Sequence, residues 1–183
     1  ANVAGISTFS GKTVTASGTG TKTIEITSST VVTSAEDLTK VASGVDIALK
    51  GVNNAGKVYS VANNATVNLT ADGTADYAIA GVASTAATNV LNLGLSANQA
   101  GGVTITNTIT VNVNVTADSN LATAVGIAAG TAAIVVTGDK DLTLHADTIA
   151  ASVIADAAYT GVLTATATDA KVIKITGGAG DDS

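Results

Sequence analysis

The chain has 183 residues, a formal net charge of −6 and 2% aromatic residues, with no Cys, Met, Pro or Trp. The missing Cys excludes disulfides, thiolate catalysis and Cys-type zinc sites together. All eight basic residues are Lys and they are scattered, so the best bidentate phosphate donor is absent and no nucleic-acid surface is expected.

The aromatics are Phe9, Tyr59, Tyr77 and Tyr159, and the rest of the apolar content is Ala, Val, Ile and Leu. A core built from such short side chains reaches native density through regular layers. No run of about 18 apolar residues occurs, so no transmembrane helix and no membrane insertion are expected. The chain begins with Ala and has no Met. It is expected to be processed at its start or to be a fragment of a longer protein.

In chain order, Thr, Val and Ile form short runs bounded by Gly, Asn, Asp and Ser, which is the strand-and-turn pattern. Strands are predicted at 13–17, 21–27, 45–50, 57–62, 66–70, 89–95, 103–106, 108–116, 133–137, 141–145, 152–155, 162–168 and 171–176. Within 108–116, "TITVNVNVT", alternation puts Ile109, Val111, Val113 and Val115 on one face. A short helix is predicted at 34–42, with Ser34 as N-cap, Asp37 three residues on, and Leu38, Val41 and Ala42 as its apolar face. Residues 118–130 read equally well as a short Ala-rich helix or as a loop with a strand.

An internal repeat appears on a shift of 46 residues, which places 67–92 on 113–138. The shared residues include Val67, Asn68, Thr70, Ala71, Asp72, Ala78, Ala83, Thr85, Ala86 and Ala87, and both copies open with "VNxTAD". Asp118 falls on Asp72, which implies a shared turn role such as capping its own backbone. Near the end, Leu142, Val153, Val162 and Val172 start strand-like runs about every ten residues. The expected class is therefore all-β, with Thr/Val-rich repetitive strands and one or two short helices. Spacing alone leaves open a parallel β-helix or β-roll and a stacked β-sandwich. The expected organisation is an N-terminal β-rich segment at 1–64 and a strand-repeat region at 65–183, or one continuous domain.

Chemistry is concentrated at the end. "GGAGDD" at 177–182 fits the pattern G-G-x-G-x-D. Glycines in such turns accept φ > 0 and aim carbonyls inward, and an Asp adds a charged oxygen. Calcium takes six to eight hard oxygen ligands in flexible geometry, so Gly178, Gly180, Asp181 and Asp182 are the candidate ligands, as half of a site. A plain Gly- and Asp-rich surface turn is the competing reading. Two weaker acidic pairs are Asp72 with Asp76 and Asp139 with Asp141, the latter separated by Lys140. Solvated turns account for both as well.

His145 is the only histidine, with Asp147 two residues on. One His on a strand gives no Ser–His–Asp set, and no GxSxG, P-loop, HExxH or dinucleotide fingerprint occurs, so no enzyme is expected. Thr runs such as "TATAT" evoke ice-binding ranks, but the strict spacing over several rungs is missing.

The stretch 142–182 resembles the segments leading into calcium-binding repeats of bacterial S-layer and related RTX-type, type I-secreted surface proteins. The likeness rests on the "LTL" strand, "YTGVLTATATDA" with Tyr159 and Gly161, and "VIKITGGAGDD". It covers about a quarter of the chain. It implies a secreted, extracellular, non-catalytic protein of the bacterial cell surface, stabilised by Ca2+ and assembling with copies of itself. The chain departs from the family in having a single such motif and no C-terminal export signal. Alternatives are a module of a large calcium-dependent adhesin that binds a glycan or another cell, and the β-roll of a secreted hydrolase; a cell-surface polysaccharide is a further candidate partner. The scarcity of aromatics argues against a stacking platform for sugars.

Overall fold

Successive side chains of a strand point to opposite faces, so the alternation of apolar and polar residues fixes which half of each strand is buried. The structure is a computed structural model describing residues 11–27, 35–50, 58–73, 76–121, 133–146, 152–167 and 174–183. Among these residues the strands are β1 (Lys22–Thr27), β2 (Glu36–Leu38), β3 (Val45–Lys50), β4 (Val58–Val61), β5 (Ala65–Leu69), β6 (Tyr77–Ala80), β7 (Val90–Leu95) and β8 (Val103–Thr106). They continue with β9 (Thr110–Val115), β10 (Ser119–Leu121), β11 (Ala133–Gly138), β12 (Leu142–Ala146), β13 (Ser152–Ala155), β14 (Leu163–Ala167) and β15 (Ile175–Thr176).

The odd-numbered strands form one eight-stranded sheet in the order β1-β3-β5-β7-β9-β11-β13-β15. The even-numbered strands form a four-stranded sheet, β2-β4-β6-β8, and a three-stranded sheet, β10-β12-β14. Every pairing between described strands is parallel. Parallel neighbours need a crossover, and here each crossover contains a strand on another face. The chain therefore winds as a parallel β-solenoid, and the sandwich alternative is excluded.

The interior is a set of ladders running along the solenoid axis. Ile24 pairs with Ile47, Ile47 with Val67, Val67 with Leu93, Leu93 with Val113, Val113 with Val136, and Val136 with Ala155. Ile26, Leu49, Leu69, Leu95 and Val115 stack beside them. All of these side chains are buried. A fully buried Val, Leu or Ile contributes about 1.5–3 kcal/mol, so regular stacking of small residues supplies the core that the composition demands. On the even side, Tyr59, Ile79 and Ile105 stack in register and are buried. The 46-residue repeat is two rungs deep, because Val67 pairs with Leu93 and Leu93 with Val113. Its two copies thus sit in the same columns.

The predicted helix at 34–42 is corrected. Glu36, Asp37 and Leu38 form β2 and pair with Tyr59, Ser60 and Val61. Asp37 Oδ1 accepts from the Thr39 amide at 3.0 Å and the Thr39 hydroxyl at 2.6 Å, closing a turn where the helix was to continue. These bonds, the hydroxyl first, hold the Asp37 carboxyl below its ordinary range. Ser34 lies outside the described residues. In 118–130, Ser119–Leu121 is β10, and the rest beyond Leu121 lies outside them. At 13–17 there is a single bridge, Val14 to Val41, and no strand. The helical element among the described residues is one 3-10 turn at Ala83–Thr85.

Candidate functional site

Parallel rungs leave a polar problem at each corner, where backbone N–H groups turn away from the ladder. Asx side chains solve it by bonding from one rung to the next. Asp72 Oδ1 accepts the amide of Asn98 at 2.7 Å, Asp118 Oδ1 that of Asp141 at 3.1 Å, and Asp141 Oδ1 that of Val162 at 2.9 Å. Asp182 Oδ1 accepts the Leu163 amide at 3.0 Å. Asp72 and Asp118 do share a turn role, as their repeat positions imply, but each caps the backbone of the next rung and not its own.

The opposite corner uses Asn. Asn89 is buried; its Nδ2 donates to the Val82 and Asn107 carbonyls, both at 2.8 Å, and its Oδ1 accepts the Thr85 hydroxyl at 2.8 Å. Asn63 Oδ1 accepts the Val90 amide at 2.8 Å. Asn64 and Asn107 take φ of 59° and 57°, the left-handed turn conformation that Asn tolerates.

Three of the four carboxylates in the weaker acidic pairs commit one oxygen to a backbone amide. Asp76 Oδ1 accepts the Gly102 amide at 2.7 Å, while Asp72 is committed to Asn98. Asp141 caps Val162, while Asp139 is exposed and its carboxylate makes no hydrogen bond among the described residues.

The terminal turn has a packing role. Ser183 N donates to the Leu163 carbonyl at 3.0 Å and Ala165 N to the Ser183 carbonyl at 3.1 Å, so the chain end extends the β10-β12-β14 face. A Cβ on Gly178 would press on the Tyr159 carbonyl, and one on Gly180 would overlap the Gly161 carbonyl. The glycines thus permit a close backbone approach, and neither has a positive φ. Toward calcium the turn offers the exposed carboxylate of Asp181 and the second oxygen of Asp182. That is a partial shell against the six to eight oxygens calcium takes. Among the described residues no three His, Cys, Asp or Glu side chains converge as a metal set.

Tyr159 lies under this corner. Its hydroxyl donates to the Lys140 carbonyl at 2.7 Å. Burial, and then the charges of Asp141, Asp182 and Asp118, push it up to about 12. His145 lies on β12 in register with Thr166, and Asp147 lies outside the described residues.

The outward face of the odd-strand sheet carries groups that the sequence reading passed over. Thr66, Asn68, Asn92, Leu93, Gly94, Asn112, Asn114 and Thr137 line an open groove of about 420 Å³. Asn112 Nδ2 donates to Asn92 Oδ1 at 2.9 Å, linking adjacent rungs. No helix among the described residues is long and apolar enough to cross a membrane.

These features define a parallel β-solenoid with Asx-sealed corners. Comparison with family models, with curated proteins and with solved structures found no match.

Proposed function

We propose that the chain is a non-catalytic structural unit of a secreted bacterial cell-surface protein, an S-layer or surface-fibre subunit that assembles with copies of itself. The observation that carries this reading is the single parallel sheet from β1 to β15 with its rung-to-rung side-chain bonds at the corners. At about 4.8 Å per rung, β1 and β15 lie about 34 Å apart, and the backbone hydrogen bonds between rungs run along that axis. Load along the axis is borne by many bonds together, which suits a mechanical role. Val135 and Ile154 pair in adjacent rungs and face outward, and Ile154 is 37% exposed, so they offer a short apolar strip for contact between copies.

The resemblance of 142–182 to segments of S-layer and type I-secreted surface proteins supports the same reading. Calcium is part of the proposal. The turn bearing Gly178, Gly180, Asp181 and Asp182 offers the Asp181 carboxylate and the second oxygen of Asp182 as part of a calcium shell, with water to fill the remaining positions.

Electron microscopy of the protein in calcium and in chelator tests both parts. Ordered sheets or fibres that loosen in chelator are expected. Monodisperse monomers at all concentrations in calcium would overturn assembly, and lattices unchanged in chelator would overturn the calcium part.

A further inference from the structure

The outward face of the odd-strand sheet changes character along its length. At β1 and β3 it carries Glu25, Asp46 and Lys50, with Lys50 Nζ 3.8 Å from Glu25. At β11 and β13 it carries Val135 and Ile154. Between them, over β5, β7 and β9, it is made mainly of amides and hydroxyls, with Val90 at one edge. Thr66, Asn92 and Asn112 form one row, and Asn68, Gly94, Asn114 and Thr137 form the next.

Two features make this middle stretch more than a solvated face. The first row is held in place, since Asn112 bonds to Asn92, and Asn92 Nδ2 reaches the Asn64 and Ala65 carbonyls at 3.4 and 3.5 Å. The second row is open. Asn68 and Asn114 make no side-chain hydrogen bond among the described residues, and Gly94 between them adds no side chain. The Asn68 amide leans over Gly94, where a Cβ would overlap its Oδ1. The result is a groove with one fixed wall and, along the other side, two amides that make no hydrogen bond among the described residues.

The lining selects the occupant. It has no Lys, so a phosphate or sulfate meets no cation; it has no carboxylate, so a metal ion meets no charge. Leu93, its one large apolar residue, turns its side chain into the core and is buried, so a greasy ligand buries little. Amides and hydroxyls both donate and accept, which matches sugar hydroxyls, since these do the same. The rows run along the solenoid axis at about 4.8 Å per rung. That is close to the advance per sugar in an extended glycan, so successive rungs meet successive sugars.

We infer that this groove, with Asn68, Asn92, Asn112 and Asn114 as its hydrogen-bonding residues, binds a neutral polysaccharide lying along the solenoid axis. Tyr59, Tyr77 and Tyr159 are buried, so among the described residues no ring is available for stacking. Each site is therefore weak, with a Kd on the order of millimolar. An array of copies on one polymer gains through avidity. This site does not depend on how copies assemble.

The test is NMR titration of dispersed protein with cellohexaose, maltohexaose and mannohexaose, and with hexagalacturonate as the acidic comparison. At least one neutral hexasaccharide is expected to shift the side-chain amide signals of Asn92, Asn112 and Asn114 saturably, equally in low and high salt. Asn68→Ala and Asn114→Ala, which remove outward groups and leave the core ladder intact, should each weaken binding about threefold to tenfold with an unchanged Tm. No shift with any neutral hexasaccharide at millimolar concentration would overturn the inference. So would binding confined to hexagalacturonate, or binding untouched in the Asn68→Ala/Asn114→Ala double variant. Because the protein is dispersed, these outcomes are read separately from assembly.

Discussion

Replacing Asn89 by Ala tests how the corners hold the solenoid. The side chain is fully buried and makes three hydrogen bonds at 2.8 Å, to the Val82 and Asn107 carbonyls and from the Thr85 hydroxyl. The losses are unequal. The Val82 carbonyl keeps the Thr85 amide at 3.1 Å, and Thr85 is exposed enough to turn to water. The Asn107 carbonyl has no second hydrogen bond among the described residues, so it becomes an unpaired acceptor. A net hydrogen bond contributes about 0.5–1.5 kcal/mol and an orphaned buried acceptor costs about 1–3 kcal/mol, so the variant should lose roughly 2–4 kcal/mol. The assay is urea unfolding combined with native-state hydrogen exchange. The Ile109 amide, which donates to the Asn89 carbonyl at 2.9 Å, should lose protection with the corner. Asn89→Asp keeps the acceptor toward Thr85 but cannot donate to either carbonyl, and should be at least as unstable. A loss under about 1 kcal/mol with unchanged protection at Ile109 would refute the corner argument.

Three further outcomes are expected. Leu95→Ala, in the middle of an inner ladder, should cost about 2–5 kcal/mol, whereas outward-facing Ile154→Ser should stay within about 0.5 kcal/mol, both by urea unfolding. Gly161→Ala should cost about 2 kcal/mol or more, because its Cβ overlaps the Lys140 carbonyl and presses on the Tyr159 hydroxyl. Tyr159 should ionise near pH 12, not near 10, in a difference ultraviolet titration of wild type against Tyr159→Phe. Since its folded pKa is raised, the stability this hydroxyl contributes is complete below pH 10 and is lost as pH rises through about 12.

Most strands were legible because their pattern is local. Val45–Lys50, Val103–Thr106 and Ser152–Ala155 alternate or run apolar between turn residues, and the reading placed them at their observed bounds. β2 departs from the predicted helix because "EDL" carries the acids of a helix start, while its strand identity comes from Tyr59 and Val61 one rung away. β6, "YAIA", was lost among small residues of neutral preference. The β-helix and sandwich alternatives could not be separated from spacing, since both give a strand about every ten residues; the parallel register separates them.

The surfaces were less legible than the strands for the same reason. Asp72 and Asp118 are equivalent in the sequence repeat, yet the amides they cap belong to the following rungs. Asn92 and Asn112 look like ordinary strand polars until the register stacks them. Rung length also varies, with Ala65 pairing to Leu91 but Val90 to Thr110, so no fixed period reveals the groove.

The groove, the corner ladders and the mechanical axis all depend on one register, with Asn92 opposite Asn112 on the outer face and Val113 turned inward. The chain has no Cys, so engineered pairs can be read without background. Neighbouring rungs about 4.8 Å apart lie within the Cα range that a disulfide bridges. The direct measurement is intramolecular crosslinking of the folded double variants Asn92→Cys/Asn112→Cys and Asn92→Cys/Val113→Cys under mild oxidation. The account predicts rapid closure of the first pair and none of the second. Closure of the second pair, or failure of both, would contradict it.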